Sequence, residues 1–172
     1  ILLIGEEPFL PYQRPALSKG FLAGDIEEKR LYLKSQQYFD KNNINIIPGT
    51  KVISIDRQNK TVLLDNQKEI GYERLVIATG SIVNKLKTKC GETDLHYLRT
   101  IEDSIRIKER LKSKDKITII GAGYIGLEIA SIAVKKNLDV NIVELGNRVM
   151  GRVVSSEVSD FFQKKHQAEG CL

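Results

Sequence analysis

Residues 116–144, KITIIGAGYIGLEIASIAVKKNLDVNIVE, leave a chain few ways to fold. A short apolar run (Ile117, Ile119, Ile120) leads into the glycines Gly121, Gly123 and Gly126. A helical stretch follows, and a second apolar run (Val140, Ile142, Val143) ends on an acid, Glu144. That order is a dinucleotide-binding βαβ unit. The first glycine permits a tight turn, the second lets backbone approach a pyrophosphate, and the third lets the helix pack close to the strand. The free N–H groups and the positive dipole end of the helix then face the diphosphate. Glu144 lies 18 residues past Gly126, where a carboxylate can accept hydrogen bonds from an adenosine ribose. A bare GxGxxG is weak, because glycine-rich turns are common. Strand, helix and acid together make it specific.

The remaining composition excludes several classes. Of 172 residues, 41% are hydrophobic and 28% charged, as in an ordinary globular protein, and no apolar stretch approaches a membrane span. The net charge of +5 is spread out: Lys85, Lys87 and Lys89 share one loop, and Arg106, Lys108, Arg110, Lys112, Lys114 and Lys116 crowd one segment. Interspersed acids favour a solvated helix face over a docking surface for an acidic redox partner. Without a basic stripe interleaved with aromatics, nucleic acid is not expected. Cys90 and Cys171 form no CxxC or C-x4-C pair, which argues against a disulfide framework, a zinc site and a dithiol redox centre. His96 and His166 are isolated, so no metal site is expected. The chain opens at Ile1 inside an apolar pattern, so any targeting sequence would lie upstream.

The fold class expected is α/β: two incomplete Rossmann-like nucleotide-binding domains with a small antiparallel β-meander. Ile1 to Ile4 forms a strand tipped by Gly5-Glu6-Glu7-Pro8, the second-strand signature of a nucleotide-binding unit whose glycine turn and helix do not precede it. The pattern reads as a piece of a longer chain. A short helix is expected from Pro15 to Gly24, and Ser35 can cap another through Tyr38 and Phe39. Ile44 to Ile47 reads as a parallel strand neighbouring the first. Val52 to Ile55, Thr61 to Leu64 and Glu69 to Tyr72 form the meander. Leu75 to Ala78 reads as a buried strand, across a gap from Ile1, ending in Thr79-Gly80-Ser81. Residues 81–99 form a connector. Thr100 to Asp103 fits a capping pattern, with Ile101, Ile105, Lys108 and Leu111 at helical spacing. Ser156 opens a last helix with Val158, Phe161 and Phe162 as its apolar face and Gly170 as its cap. With few strands after residue 116, the second domain also reads as incomplete.

The motif order PYQRPALSKGFLAG, LVIATGS, YLRT, GAGYIGLE and VELGNRVMGR resembles the FAD-dependent NADH:ferredoxin reductases of oxygenase systems, the putidaredoxin- and rubredoxin-reductase family, with apoptosis-inducing factor a distant relative. The likeness spans essentially the whole chain. It implies hydride transfer from NADH to FAD, then single electrons to an iron–sulfur ferredoxin or a rubredoxin, in the cytoplasm. It divides the chain into a partial FAD-binding domain over 1–99 and a partial NAD-binding domain over 100–172. Carried over, it places Glu6 at the FAD ribose and Arg14, Pro15, Ser18 and Lys19 along the flavin and diphosphate. Val52 meets the adenine, Thr79 and Gly80 line the cofactor, and Arg99 reaches the FAD. For NAD(H), Gly121, Gly123, Tyr124, Ile125 and Gly126 take the diphosphate, Glu144 the ribose, Arg152 the adenosine, and Glu128 the nicotinamide side. Lys19 and Glu128 are expected to pair at the flavin edge, as the catalytic groups.

Taken singly, each has a plainer reading. Pro15 and Ser18 support a helix, Thr79 and Gly80 make a strand exit, Arg99 precedes a helix, and Glu128 is solvated charge. The shared order favours the functional assignment. Hydride transfer also demands little acid–base chemistry of a protein, since the cofactors carry it. A dithiol reductase would need a cysteine pair near residues 13–24, where there is none. An NADH oxidase, or the NADH-accepting part of a larger reductase, shares the scaffold. From another class comes a non-catalytic NAD-sensing protein. Lacking the first glycine loop and the later strands, this polypeptide is expected to hold FAD poorly and NADH weakly. Glu144 favours NADH over NADPH, although Arg148 and Arg152 lie nearby and weaken that preference.

Overall fold

A computed structural model describes residues 1–87 and 95–171; Lys89 and Cys90 lie outside them. The chain forms two compact units, Ile1–Gln13 with Lys29–Ile82, and Arg14–Glu28 with Val83–Leu172.

In the first unit, β1 (Leu2–Ile4) and β2 (Asn45–Ile47) pair in parallel, with Leu3 opposite Ile46. Helix α2 (Gln36–Lys41) begins as expected at Ser35, whose side chain accepts from the Tyr38 N–H at 3.4 Å. The meander is present as β3 (Val52–Asp56), β4 (Thr61–Leu64) and β5 (Glu69–Gly71), antiparallel in that order. Its first turn is fixed by Asp56, whose carboxylate accepts from the Gln58 and Asn59 N–H groups at 2.8 and 2.9 Å. Val62 and Leu64 are buried, and so are Leu31 and Phe39.

The buried strand expected at Leu75 to Ala78 is not there. Those residues take no regular structure, and Val76 and Ile77 are 84% and 67% exposed. A strand exists only through a neighbour's ladder, and the neighbour expected between this segment and β1 is not among the described residues. β1 pairs with β2 and not with Leu75 to Ala78, as the expected gap requires.

In the second unit, the helix expected over Pro15 to Gly24 is broken. A 3₁₀ turn (Arg14–Ser18) precedes α1 (Gly20–Ala23), and Lys19 between them leaves helical geometry at φ −124°, ψ −123°. Gly20 permits the break to pack tightly, since a Cβ there would come within 2.7 Å of the Ile26 side chain. Gly24 closes the helix at φ 99°, its N–H donating to the Gly20 and Phe21 carbonyls.

Helix α3 (Ile101–Ser113) carries the expected capping box: Thr100 accepts from the Asp103 N–H, and Asp103 answers the Thr100 N–H. Its buried face is Ile101, Ser104, Ile107 and Leu111, so Ser104 and Ile107 replace the expected Ile105 and Lys108. The cause is Ser104, whose Oγ donates to the Leu17 carbonyl at 2.8 Å and lets residues 14–24 approach closely. β6 (Lys116–Ile120), α4 (Tyr124–Lys135) and β7 (Asp139–Val143) then form the βαβ unit, with β6 and β7 parallel. Leu22, Leu111, Ile129, Ala130, Ala133 and Val140 belong to one buried cluster.

Helix α5 (Ser156–Ala168) opens at Ser156 as expected, with Ser155 as its N-terminal cap position. Its Val158 and Phe161 are 41% and 61% exposed, whereas Ser159 is fully buried. Here too a serine takes the inward position, because its Oγ donates to the Val149 carbonyl at 2.6 Å. Phe162 of the expected face does pack, against Ala122, Leu127 and Met150. Gly170, at φ 101°, follows the cap at Glu169 and ends the helix.

Stability should follow the observed core. Leu22, fully buried in the cluster, should cost about 2–5 kcal/mol on replacement by Ala. Phe161→Ala should cost about 0.5 kcal/mol or less, as at exposed sites. Urea unfolding of the two variants measures both.

Candidate functional site

The site is built on the turn from β6 into α4. Gly121 adopts φ 103°, a left-handed conformation open to glycine, and its N–H donates to the Val143 carbonyl at 2.7 Å. Gly126 sits against that turn, and a Cβ on it would lie 2.0 Å from the Gly121 oxygen. Around Gly121 and Gly123, by contrast, no atom of the described residues beyond the adjoining ones lies within 4 Å of an added Cβ. The turn is therefore packed behind and open in front. Gly123 caps α4 without a side chain, so the first N–H groups of the helix face the opening. Tyr124 and Ile125 are both more than half exposed there.

Glu144 closes one side. Its Oε1 accepts from the Gly146 N–H at 2.9 Å and its Oε2 from the Ala122 N–H at 2.6 Å. These two bonds, Gly146 first, hold its carboxyl below the usual glutamate range, with the Arg152 charge adding to them. Sequence reasoning gave Glu144 the ribose alone; the structure adds the bond to the glycine turn. Gly121, Gly123, Tyr124, Glu144, Arg152 and Tyr97 line one cleft of about 870 Å³. Its open glycine edge, helix N-terminus and flanking carboxylate fit a dinucleotide.

Farther along α4, Glu128 meets residues 109 and 110 positions earlier. Lys19 Nζ lies 2.8 Å from Glu128 Oε1, and Ser18 Oγ donates to Oε2 at 2.5 Å. Lys19 also donates to the Pro15 carbonyl at 3.2 Å. The expected pair is thus in contact, but it is not buried: its side chains are 53% and 28% exposed. A pair so wetted is worth about 0–1 kcal/mol. Such a pair does not hold the fold. The 3₁₀ break at Lys19 is what presents Ser18 and Lys19 side by side.

Of the other residues carried over to FAD, Arg14 and Arg99 come together, the Arg14 guanidinium donating to the Arg99 carbonyl at 2.7 Å. Pro15 lies in the same 3₁₀ turn. In the first unit, Glu6 at the tip of β1 is exposed and ion-paired with Lys51 at 3.0 Å, a partner the sequence did not suggest. Val52 begins β3, and Thr79 and Gly80 are exposed, Gly80 at φ 70°.

His166, expected to be isolated, has a neighbour: the Cys171 thiol, 3.8 Å from its Nδ1. Burial pushes that thiol up and the imidazole down, in each case favouring the neutral form. The Gly170 turn that brings the chain back over α5 was the available signal. No group of three or more metal-ligating side chains, and no helix long and apolar enough to cross a membrane, occurs among the described residues.

The profile of the pyridine nucleotide-disulphide oxidoreductases matches residues 1–171. The chain belongs to that family. Among curated members, the chain is 41% identical to rhodocoxin reductase of Rhodococcus erythropolis, over 99% of the chain and 40% of the relative. It is 36% identical to putidaredoxin reductase of Pseudomonas putida, over 99% of the chain and 41% of the relative. The crystal structure of the ferredoxin reductase for the CYP199A2 system of Rhodopseudomonas palustris superposes with a TM-score of 0.96 at 39% identity, covering 99% of the chain and 42% of that protein. The chain therefore spans about two fifths of the length of the relatives it matches.

The two glycines separate binding from folding. Gly123→Ala, with its Cβ in open space, should leave thermal stability unchanged and weaken NADH by about tenfold, equal to ~1.4 kcal/mol. Gly126→Ala should lower both, because α4 must shift. Fluorescence titration with NADH and thermal unfolding measure the contrast. Glu144 sets a pH signature as well. Its folded pKa is depressed, so its contribution is present above its ordinary value and is lost only as pH falls through the lowered one. Unfolding curves from pH 7 to 3 should show stability lost at the acid end in the native protein, and less of that loss in Glu144→Gln.

Proposed function

We propose that the full-length protein transfers a hydride from NADH to FAD and delivers electrons to a ferredoxin- or rubredoxin-type acceptor. The observation that carries this reading is the Ser18–Glu128–Lys19 contact. One helix, α4, offers its N-terminus to a dinucleotide diphosphate and, two residues beyond Gly126, a carboxylate already paired with a lysine. A sensor that only bound NAD would have no use for the second feature. The names of the relatives, reductases of rhodocoxin and putidaredoxin, support the acceptor class.

FAD, when bound, accepts two electrons as hydride and releases them singly. The residues here do the rest. Gly121, Gly123, Tyr124, Ile125 and Gly126 take the NADH diphosphate, Glu144 its ribose and Arg152 its adenosine. Lys19 and Glu128 fix the charge at the flavin edge and orient the nicotinamide amide. Glu6, Arg14, Pro15, Ser18, Val52, Thr79, Gly80 and Arg99 are the residues we assign to FAD. The exposed Glu6 carboxylate suits ribose hydroxyls. No second glycine triad occurs in the sequence, so FAD retention is not ascribed to these 172 residues alone. In functional terms residues 1–99 serve FAD and 100–172 serve NAD(H). We place the protein in the cytoplasm, where NADH is supplied.

The full-length protein should purify yellow and be bleached by NADH without oxygen. Reduced protein should be reoxidised faster by a ferredoxin or rubredoxin than by dissolved oxygen. A colourless protein, or one reoxidised only by oxygen, would contradict the proposal, the second result favouring an NADH oxidase.

A further inference from the structure

Two arginines near Glu144 suggest, from sequence, a site that could also welcome a 2′-phosphate. The structure separates them. Arg148 Nη1 donates to the carbonyls of Val154 and Ser155 at 2.9 and 3.0 Å, and its Nη2 to that of Gly151 at 2.9 Å. Three carbonyls of one loop thus converge on one guanidinium, and each would lose its partner if the side chain swung out. Gly151 is part of the fit: a Cβ there would come within 3.2 Å of Arg148 Cγ. The same loop is pinned at its base, where the Met150 N–H donates to the Ala122 carbonyl at 2.8 Å and the Met150 side chain is buried. Arg152, by contrast, lines the cleft beside Glu144, and its charge is felt there.

We infer that Arg148 is a positioning residue that closes the 148–155 loop and so holds Arg152 at the adenosine end of the dinucleotide cleft, and that it is not a phosphate ligand. This rests on the NAD(H) reading of that cleft. A 2′-phosphate would meet one guanidinium beside a carboxylate held in its charged form, so the site selects an unphosphorylated ribose.

The test uses ADP-ribose and 2′-phospho-ADP-ribose, titrated calorimetrically into the full-length protein and into Arg148→Ala, Arg152→Ala and the double variant. Arg148→Ala should weaken both probes by the same factor, about tenfold, and raise the KM for NADH with kcat unchanged. Arg152→Ala, at the adenosine that both probes share, should weaken both by at least the same factor. The double variant should be no worse than Arg152→Ala, because Arg148 acts through Arg152. A selective loss of the phosphorylated probe in Arg148→Ala, or additive losses in the double variant, would overturn the inference. If Arg148→Ala does not fold, Arg148→Lys, whose ammonium lacks the planar fork that meets three carbonyls, should give the same equal loss. Failure of the unaltered protein to bind either probe would refute the NAD(H) reading itself, a different result from any of these.

Discussion

The site depends on one steric constraint, the contact between Gly126 and the Gly121 carbonyl. No side chain fits at position 126, where even a Cβ would stand 2.0 Å from that oxygen. The contact sets α4 flush against the end of β6. With α4 fixed there, its first N–H groups face the open side of the turn, and Leu127, Ala130 and Ala133 on its other faces are buried. Glu128 follows from the same placement. A helix that began farther out would carry it away from Ser18 and Lys19.

Energetics separate what holds the molecule from what prepares it for chemistry. Buried apolar side chains such as Leu22, Ile107 and Val140 each contribute on the order of 1.5–3 kcal/mol. A half-exposed ion pair adds about 1 kcal/mol at most. The Lys19–Glu128 contact is therefore too weak to account for the fold, and the role we propose for it is electrostatic preparation of a reacting centre. Hydride transfer suits such a division, since the protein supplies geometry and field while the cofactors exchange electrons.

Much of this was legible in the sequence. The βαβ unit, the meander, the parallel pairing of β1 with β2 and the Thr100 capping box follow from local signals, namely glycine spacing, alternation and cap chemistry. The misses share a cause. Ser104 and Ser159 sit inward because a carbonyl waits for each hydroxyl, while Val158 and Phe161 face out; apolar periodicity cannot register a polar side chain with a buried partner. Leu75 to Ala78 has strand composition but no pairing strand among the described residues, and composition does not encode a neighbour. Arg148 and Arg152 look alike in sequence, and only the positions of three carbonyls tell them apart. The Lys19–Glu128 contact, across 109 positions, came from the family likeness and from no periodicity.

The central claim is that α4 serves both ends of the reaction, holding the dinucleotide at its N-terminus and preparing the flavin edge through Glu128. A double-mutant cycle on flavin reduction by NADH tests it most directly, with Lys19→Met, Glu128→Gln and their combination followed by anaerobic stopped-flow in the full-length protein. Each single change should slow hydride transfer by about tenfold, ~1.4 kcal/mol in the barrier, and the combination should be little slower than either alone. Additive losses, or single variants as fast as the unaltered protein, would contradict the account.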